Sequence, residues 1–168
     1  MAKARATGLG FDKETAEEYH CRPMSAPQSI DSLRFARSRD CLDGEFAVAS
    51  LTRLSELLVG DTGVVRYRLC GGEQAGRPAL TLSVEATVVL RCQRCLAPYS
   101  QPVVAESVLP VARDEAQMTL WERDDPLLDV LLAEPHLDVR GLVEDEMLLS
   151  LPAVPRHPEG GCEVGAAT

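Results

Sequence analysis

Aromatic side chains are scarce in this chain, with one Trp, three Tyr and three Phe among 168 residues. A core made without them has to come from Leu, Val and Ala, and at 45% hydrophobic residues the chain has enough of these for a globular fold. Lysine is nearly missing: the 17 basic residues are 15 Arg and 2 Lys. No run of about 18 apolar residues occurs, so no membrane-spanning helix is expected. The first twenty residues carry early positive charges but no apolar stretch, so no secretory signal is expected either. A cytoplasmic location follows as the expectation. In a reducing compartment the six cysteines are expected to act as core residues, metal ligands or redox thiols rather than disulfides.

Motifs for catalysis are also missing. There is no P-loop, GxGxxG, HExxH or GxSxG pattern. Glu144, Asp145 and Glu146 are consecutive, so they do not converge as an acid/base pair must. Nothing assembles a nucleophile, a base and an oxyanion site, so neither an enzyme nor a small-molecule substrate is expected.

What is present is uneven charge. The net charge is −9, but residues 1–105 hold 13 Lys+Arg against 12 Asp+Glu, a net of +1. Residues 106–168 hold 4 against 14, a net of −10. Duplex-binding domains usually show a basic excess. Any contact with nucleic acid is therefore expected to run through a local arginine patch or through a protein partner. Arg34, Arg37 and Arg39 form the densest basic cluster and are the candidate partner or RNA contact; a solvated helix face is the plainer reading.

The pattern of the chain reads as α+β: a curved antiparallel sheet of about five strands with two or three helices at its edge. Residues 1–27 read as a flexible tail, 28–163 as one domain and 164–168 as a C-terminal tail. A short helix is expected over 29–36 with Ser29 as a possible cap, a strand over 42–48, and a helix from a Ser50 cap to Leu58 closed by Gly60. Strands follow over 64–69, 79–90 and 99–111, joined by turns at 71–78 and 92–98. Residues 112–126 read as an acidic loop with a short strand near 118–121, and 127–132 as a further strand, though that apolar run is too short for its period to separate strand from helix. The last helix is expected over 139–151, capped by Asp138, with Leu142, Val143, Glu146, Met147, Leu149 and Leu151 on the face read as apolar. His20 and His136 read as exposed and Trp121 as a partial core anchor.

One constellation carries chemistry. Cys92-x-x-Cys95 sits at a tight turn between strands, where two thiolates can face one tetrahedral ion. Two more ligands are needed, and His157 and Cys162 are available just after the last helix. Zinc is the candidate ion. The alternatives are a pair of thiols without metal, or a turn that tolerates small residues. A thioredoxin-like redox pair fits poorly, because that chemistry places its first Cys at a helix N-terminus. Cys21, Cys41 and Cys70 stand singly and read as structural or incidental.

Three segments, residues 30–36, 90–99 and 137–155, together resemble the YceD family, the large ribosomal RNA subunit accumulation proteins. The Cys92-Gln93-Arg94-Cys95-Leu96 turn and the late Leu148-Leu149-Ser150-Leu151-Pro152 stretch carry the likeness in combination. The resemblance implies a cytosolic bacterial protein linked to synthesis, processing or stability of 23S ribosomal RNA. It also implies a zinc site in some members, built from CxxC and a later Cys pair, whose first member is replaced here by His157. The implied partners are ribosomal RNA or a basic rRNA-associated protein. A metal-stabilised adaptor or regulator without direct RNA contact, and an RNA-processing enzyme, are the competing classes.

Overall fold

In the computed structural model the described residues are 29–162. The expected tails over 1–27 and 164–168, with His20 and Cys21, lie outside them.

Two short strands, β1 (Ser29–Ile30) and β7 (Leu137–Asp138), pair antiparallel. Each leads directly into a helix capped by an aspartate. Asp31 accepts from the Arg34 N–H at the start of α1 (Ser32–Ser38), and Asp138 accepts from the Arg140 N–H at the start of α4 (Val139–Ser150). The α1 cap is therefore Asp31 and not Ser29, because Ser29 is in the β1–β7 ladder. Ser32, 1% exposed, exchanges hydrogen bonds with the Glu134 backbone through its hydroxyl and N–H, so its burial leaves no polar group unpaired.

The main sheet has the order β2-β3-β4-β5-β6. Its members are β2 (Cys41–Ala47), β3 (Val64–Gln74), β4 (Arg77–Arg91), β5 (Pro98–Ala112) and β6 (Leu131–Leu132). All neighbours are antiparallel except β5 and β6, which run parallel. The α+β expectation stands. The strands are longer than the sequence pattern marks, because the β3–β4 connection is only the two-residue turn Ala75-Gly76. Both residues have positive φ, 50° and 78°, the left-handed pair that matches the twist of a hairpin. Pro78 sits two residues beyond that turn, within β4.

One face of the sheet is apolar. Val65, Tyr67 and Leu69 of β3 meet Leu80, Leu82, Val84, Ala86, Val88 and Leu90 of β4, and Val103 and Val111 of β5. Ala36 of α1, Leu51 and Leu54 around α2 (Thr52–Ser55), and Val139, Val143 and Met147 of α4 cover it. Truncating a fully enclosed leucine such as Leu54 costs about 2–5 kcal/mol. At Gly71 the backbone of β3 passes so close to the Phe35 carbonyl that a Cβ would collide with it, and the Gly71 N–H donates to the Asp40 carbonyl at 2.8 Å. The opposite face is solvated and charged, with Arg68 paired to Asp43 across β2–β3.

Several local expectations change. The helix expected from Ser50 to Leu58 is a 3-10 turn, Val48–Ser50, followed by the single turn of α2 without a side-chain cap. The backbone leaves it early because the Val59 N–H donates to the Val89 carbonyl of β4. The acidic loop with a short strand is helix α3 (Glu115–Asp124), capped by Asp114, which accepts from the Gln117 N–H at 2.8 Å. The strand expected over 127–132 shrinks to β6. On α4 the buried stripe is Val139, Val143 and Met147, and Leu149 points outward. Trp121 is half-buried with the Arg77 guanidinium over its ring at 4.9 Å, and His136 is exposed.

β5 has a free edge. Only Val111 and Ala112 pair with β6, and Pro98, Pro102 and Pro110 lie along the strand. All three occupy even positions. The Ala112 carbonyl, at the same parity, points away from β4 and accepts from Ala133 at 2.7 Å. The missing proline N–H groups therefore face outward as well.

Candidate metal centre

The Cys92–Ala97 turn between β4 and β5 is a closed knuckle. The Cys92 N–H donates to the Ala97 carbonyl at 3.0 Å and the Leu96 N–H to the Cys92 carbonyl at 2.9 Å. Leu96 adopts the left-handed conformation, φ 63°, to close it. The Arg94 N–H points at Cys92 Sγ, 3.4 Å away. This geometry turns both sulfurs to the same side.

The other two donors arrive on the segment after α4. The Gln93 N–H donates to the Pro155 carbonyl at 2.9 Å, which lashes that segment to the knuckle two residues before His157. A second turn, with Gly160 at φ 81° and the Gly161 N–H bonded to the Pro158 carbonyl, sends Cys162 back toward His157. The Tyr99 ring, at the start of β5, lies tilted against the imidazole with centroids 5.0 Å apart.

The result is four donors from two distant stretches, all within 4.8 Å of one another. Cys92 Sγ and Cys162 Sγ are 3.6 Å apart, Cys95 Sγ and His157 Nδ1 3.3 Å, and Cys162 Sγ and His157 Nδ1 3.6 Å. A tetrahedral zinc with bonds of about 2.3 Å to sulfur and 2.0–2.1 Å to nitrogen separates two sulfurs by about 3.8 Å and sulfur from nitrogen by about 3.5 Å. The group therefore fits a metal ion and could hold one. Cys92 is buried and the other three are half-buried.

The electrostatics point the same way. Burial pushes the Cys92 thiol up, but the N–H groups of Cys95, His157 and Arg94 and the His157 side chain outweigh it and bring it down to about 5. Cys162 is pushed up to about 11 by burial and by the neighbouring Cys92 and Cys95. One thiolate is easily held and a further one is resisted. A divalent cation removes that resistance.

The other candidates are dispersed. Arg34, Arg37 and Arg39 are exposed on and just after α1, away from the knuckle, and Arg39 approaches Glu73 at 3.9 Å. Cys41 and Cys70 overturn the expectation that the cysteines avoid disulfides: they are register partners across β2 and β3, with Cα atoms 4.1 Å apart, and are bonded. Glu144 gained no role from the sequence. It is buried at 7% exposure and accepts from the Leu54 N–H and the Arg53 guanidinium, tying α2 to α4. No sequence signal finds it, because its partners are some 90 residues away.

Among known proteins, residues 80–167 match the family model described as large ribosomal RNA subunit accumulation protein YceD. The chain is also similar to the large ribosomal RNA subunit accumulation protein YceD of Haemophilus influenzae. The two are 32% identical over 152 residues, spanning 85% of this chain and 82% of the relative. No solved structure matches. The relative's match extends beyond the family model's range to most of the chain, and on both counts this chain belongs to the YceD family.

Proposed function

We propose that this protein is a non-catalytic, cytoplasmic ribosome-biogenesis factor that supports the synthesis, processing or accumulation of 23S ribosomal RNA. The observation that carries the reading is the likeness over 85% of the chain to a relative named for that role. The family is named for accumulation of an RNA and not for a reaction. Among the described residues no helix is long and apolar enough to cross a membrane.

In this reading Cys92, Cys95, His157 and Cys162 hold a structural zinc ion. When bound, the ion supplies a cross-link and charge neutralisation rather than reactivity, since all four positions are protein donors. The chain's own residues do the rest. The Gln93–Pro155 hydrogen bond and the Gly160 turn set the second pair against the first, so the C-terminal arm is fastened to the β4–β5 knuckle. Arg34, Arg37 and Arg39 offer guanidinium forks for RNA phosphates. A second reading, an adaptor without direct RNA contact, is favoured by the net of −10 over residues 106–168, which suits a basic protein partner.

The test is depletion of the protein in cells, reading the ratio of large- to small-subunit ribosomal RNA and the gradient profile of ribosomal particles. A selective fall in large-subunit RNA is expected; an unchanged ratio overturns the reading. Charge reversal at Arg34 and Arg37 then separates direct from indirect action. Direct contact predicts weaker, less salt-sensitive binding to ribosomal RNA, and the adaptor reading predicts no RNA binding to lose.

A further inference from the structure

Beside its buried stripe, helix α4 carries a second apolar set that is only partly covered: Leu142 and Leu148 are half-buried against the core and Leu149 is exposed. Val139, Val143 and Met147 face the core, whereas Leu142, Leu148 and Leu149 face a cleft of about 420 Å³ against Leu109 of β5 and Leu131 of β6. Leu149 is 78% exposed at its mouth, and Leu127, on the loop that leads into β6, is 95% exposed. A helix with a second apolar set left partly open is the pattern of a docking surface.

The charges around the cleft name the occupant. Asp129, Asp145 and Glu146 line it, and no lysine or arginine does. Asp145 is shared with Arg53 at 2.6 Å, but among the described residues Asp129 and Glu146 have no cation within ion-pair distance. RNA is excluded by repulsion of its phosphates and by a lining without aromatic rings for bases to stack on. A neighbouring apolar groove that shares Leu148 makes the contrast: it is lined by Leu57, Leu96 and Arg91 and by no carboxylate.

We propose that the Leu109–Leu131–Leu149 cleft receives a cationic amphipathic segment of a protein partner, its apolar residues seated among the leucines and its Lys or Arg side chains on Asp129 and Glu146. The inference rests on the preceding reading of the chain as an rRNA-associated factor, whose protein partners are rich in such segments by the chemistry of phosphate binding.

The experiment uses the full chain with its metal and two labelled synthetic helices of about 14 residues. Both have leucines on one face; one carries lysines on the other face, the second glutamates. Fluorescence anisotropy is expected to show binding of the lysine helix only, weakening as salt is raised. Asp129→Lys with Glu146→Lys should weaken it at least about tenfold, as should Leu149→Gln. Reversing Glu122 and Asp124 on α3, an equal change of net charge elsewhere, should leave it unaltered. Unchanged melting temperatures certify the variants as folded. Equal binding of both helices, loss on the α3 reversal as large as on the cleft reversal, or cleft variants that bind like the parent overturn the proposal. So does self-association through the cleft that the lysine helix fails to displace. If depletion lowers large-subunit RNA and the cleft variants fully restore it, the cleft proposal alone falls. If depletion leaves that RNA unchanged, the biogenesis reading falls whatever the peptides do.

Discussion

Cys41 and Cys70 meet because two strands lie side by side, whereas Cys92, Cys95 and Cys162 meet because a turn and a returning arm converge. In the first place the register of β2 on β3 sets the cysteines opposite each other, and the pair closes on itself. In the second the knuckle splays two sulfurs toward an imidazole and a third sulfur at tetrahedral spacing, and the thiols stay open. The sites are also far apart. Cys70 lies opposite Thr81 on β4, and the knuckle starts after Arg91, ten residues later and about 33 Å along the strand. Thiol–disulfide exchange between them is thereby blocked, since it needs the sulfurs in contact. The same element is used once as a covalent staple on a sheet and once in a clasp, a group of donors that could hold a metal ion, and local backbone geometry decides which.

The comparison breaks most visibly if the metal is removed. With free zinc near a thousandfold above its Kd, chelation or Cys95→Ser should lower stability by about 4 kcal/mol. That corresponds to roughly 8–16 °C in Tm for a chain of this size, read by calorimetry beside metal analysis. An unchanged Tm with stoichiometric metal lost would show that the clasp does not support the fold. Reduction of Cys41–Cys70 comes next. Its separation of 29 residues gives a loop-entropy contribution of about 3.5 kcal/mol, and the loss should persist in excess chelator if the two sites are independent. Denaturant melts with and without a phosphine reductant measure it.

Acid should act on the clasp and spare the staple. Cys162, at about 11 without metal, holds its proton at neutral pH and must release it to bind an ion. Affinity should therefore fall about tenfold per pH unit per proton as pH drops. Cys92, held near 5, is already a thiolate at pH 7 and adds to the slope only below that value. Metal titrations between pH 6 and 8 give the slope; a flat profile would mean that Cys162 is not a ligand. The smallest effect is local to the knuckle. Leu96→Gly removes a left-handed leucine whose side chain is 64% exposed, so it should raise Tm by an amount equivalent to about 1 kcal/mol or less.

The sequence shows the clasp more readily than the staple. A CxxC at a strand-to-strand turn announces itself by spacing, and His157 and Cys162 are the remaining donors beyond the last helix. Cys41 and Cys70 carry no such mark, since only the strand register pairs them. Helix α3 was hidden by its composition: five carboxylates among residues 114–125 read as loop, while the Asp114-x-x-Gln117 cap was the informative sign. The β3 and β4 ends were hidden by Gly71, Gly72 and Pro78. Gly71 is there for α1 to approach, and Pro78 falls where β4 has not yet begun to pair with β5. The outward face of α4 could not be told from its buried face, because Leu142, Met147 and Leu149 are equally apolar and only the position of the sheet distinguishes them.

The prolines on β5 bear on how the protein behaves in company. A strand that tried to extend the sheet there would find no N–H at Pro98, Pro102 or Pro110. A partner or a second copy could not zip along more than a short stretch of that border. Along that border recruitment is left to side chains, whereas the opposite edge of the sheet, β2, carries no proline and keeps its full row of backbone N–H groups.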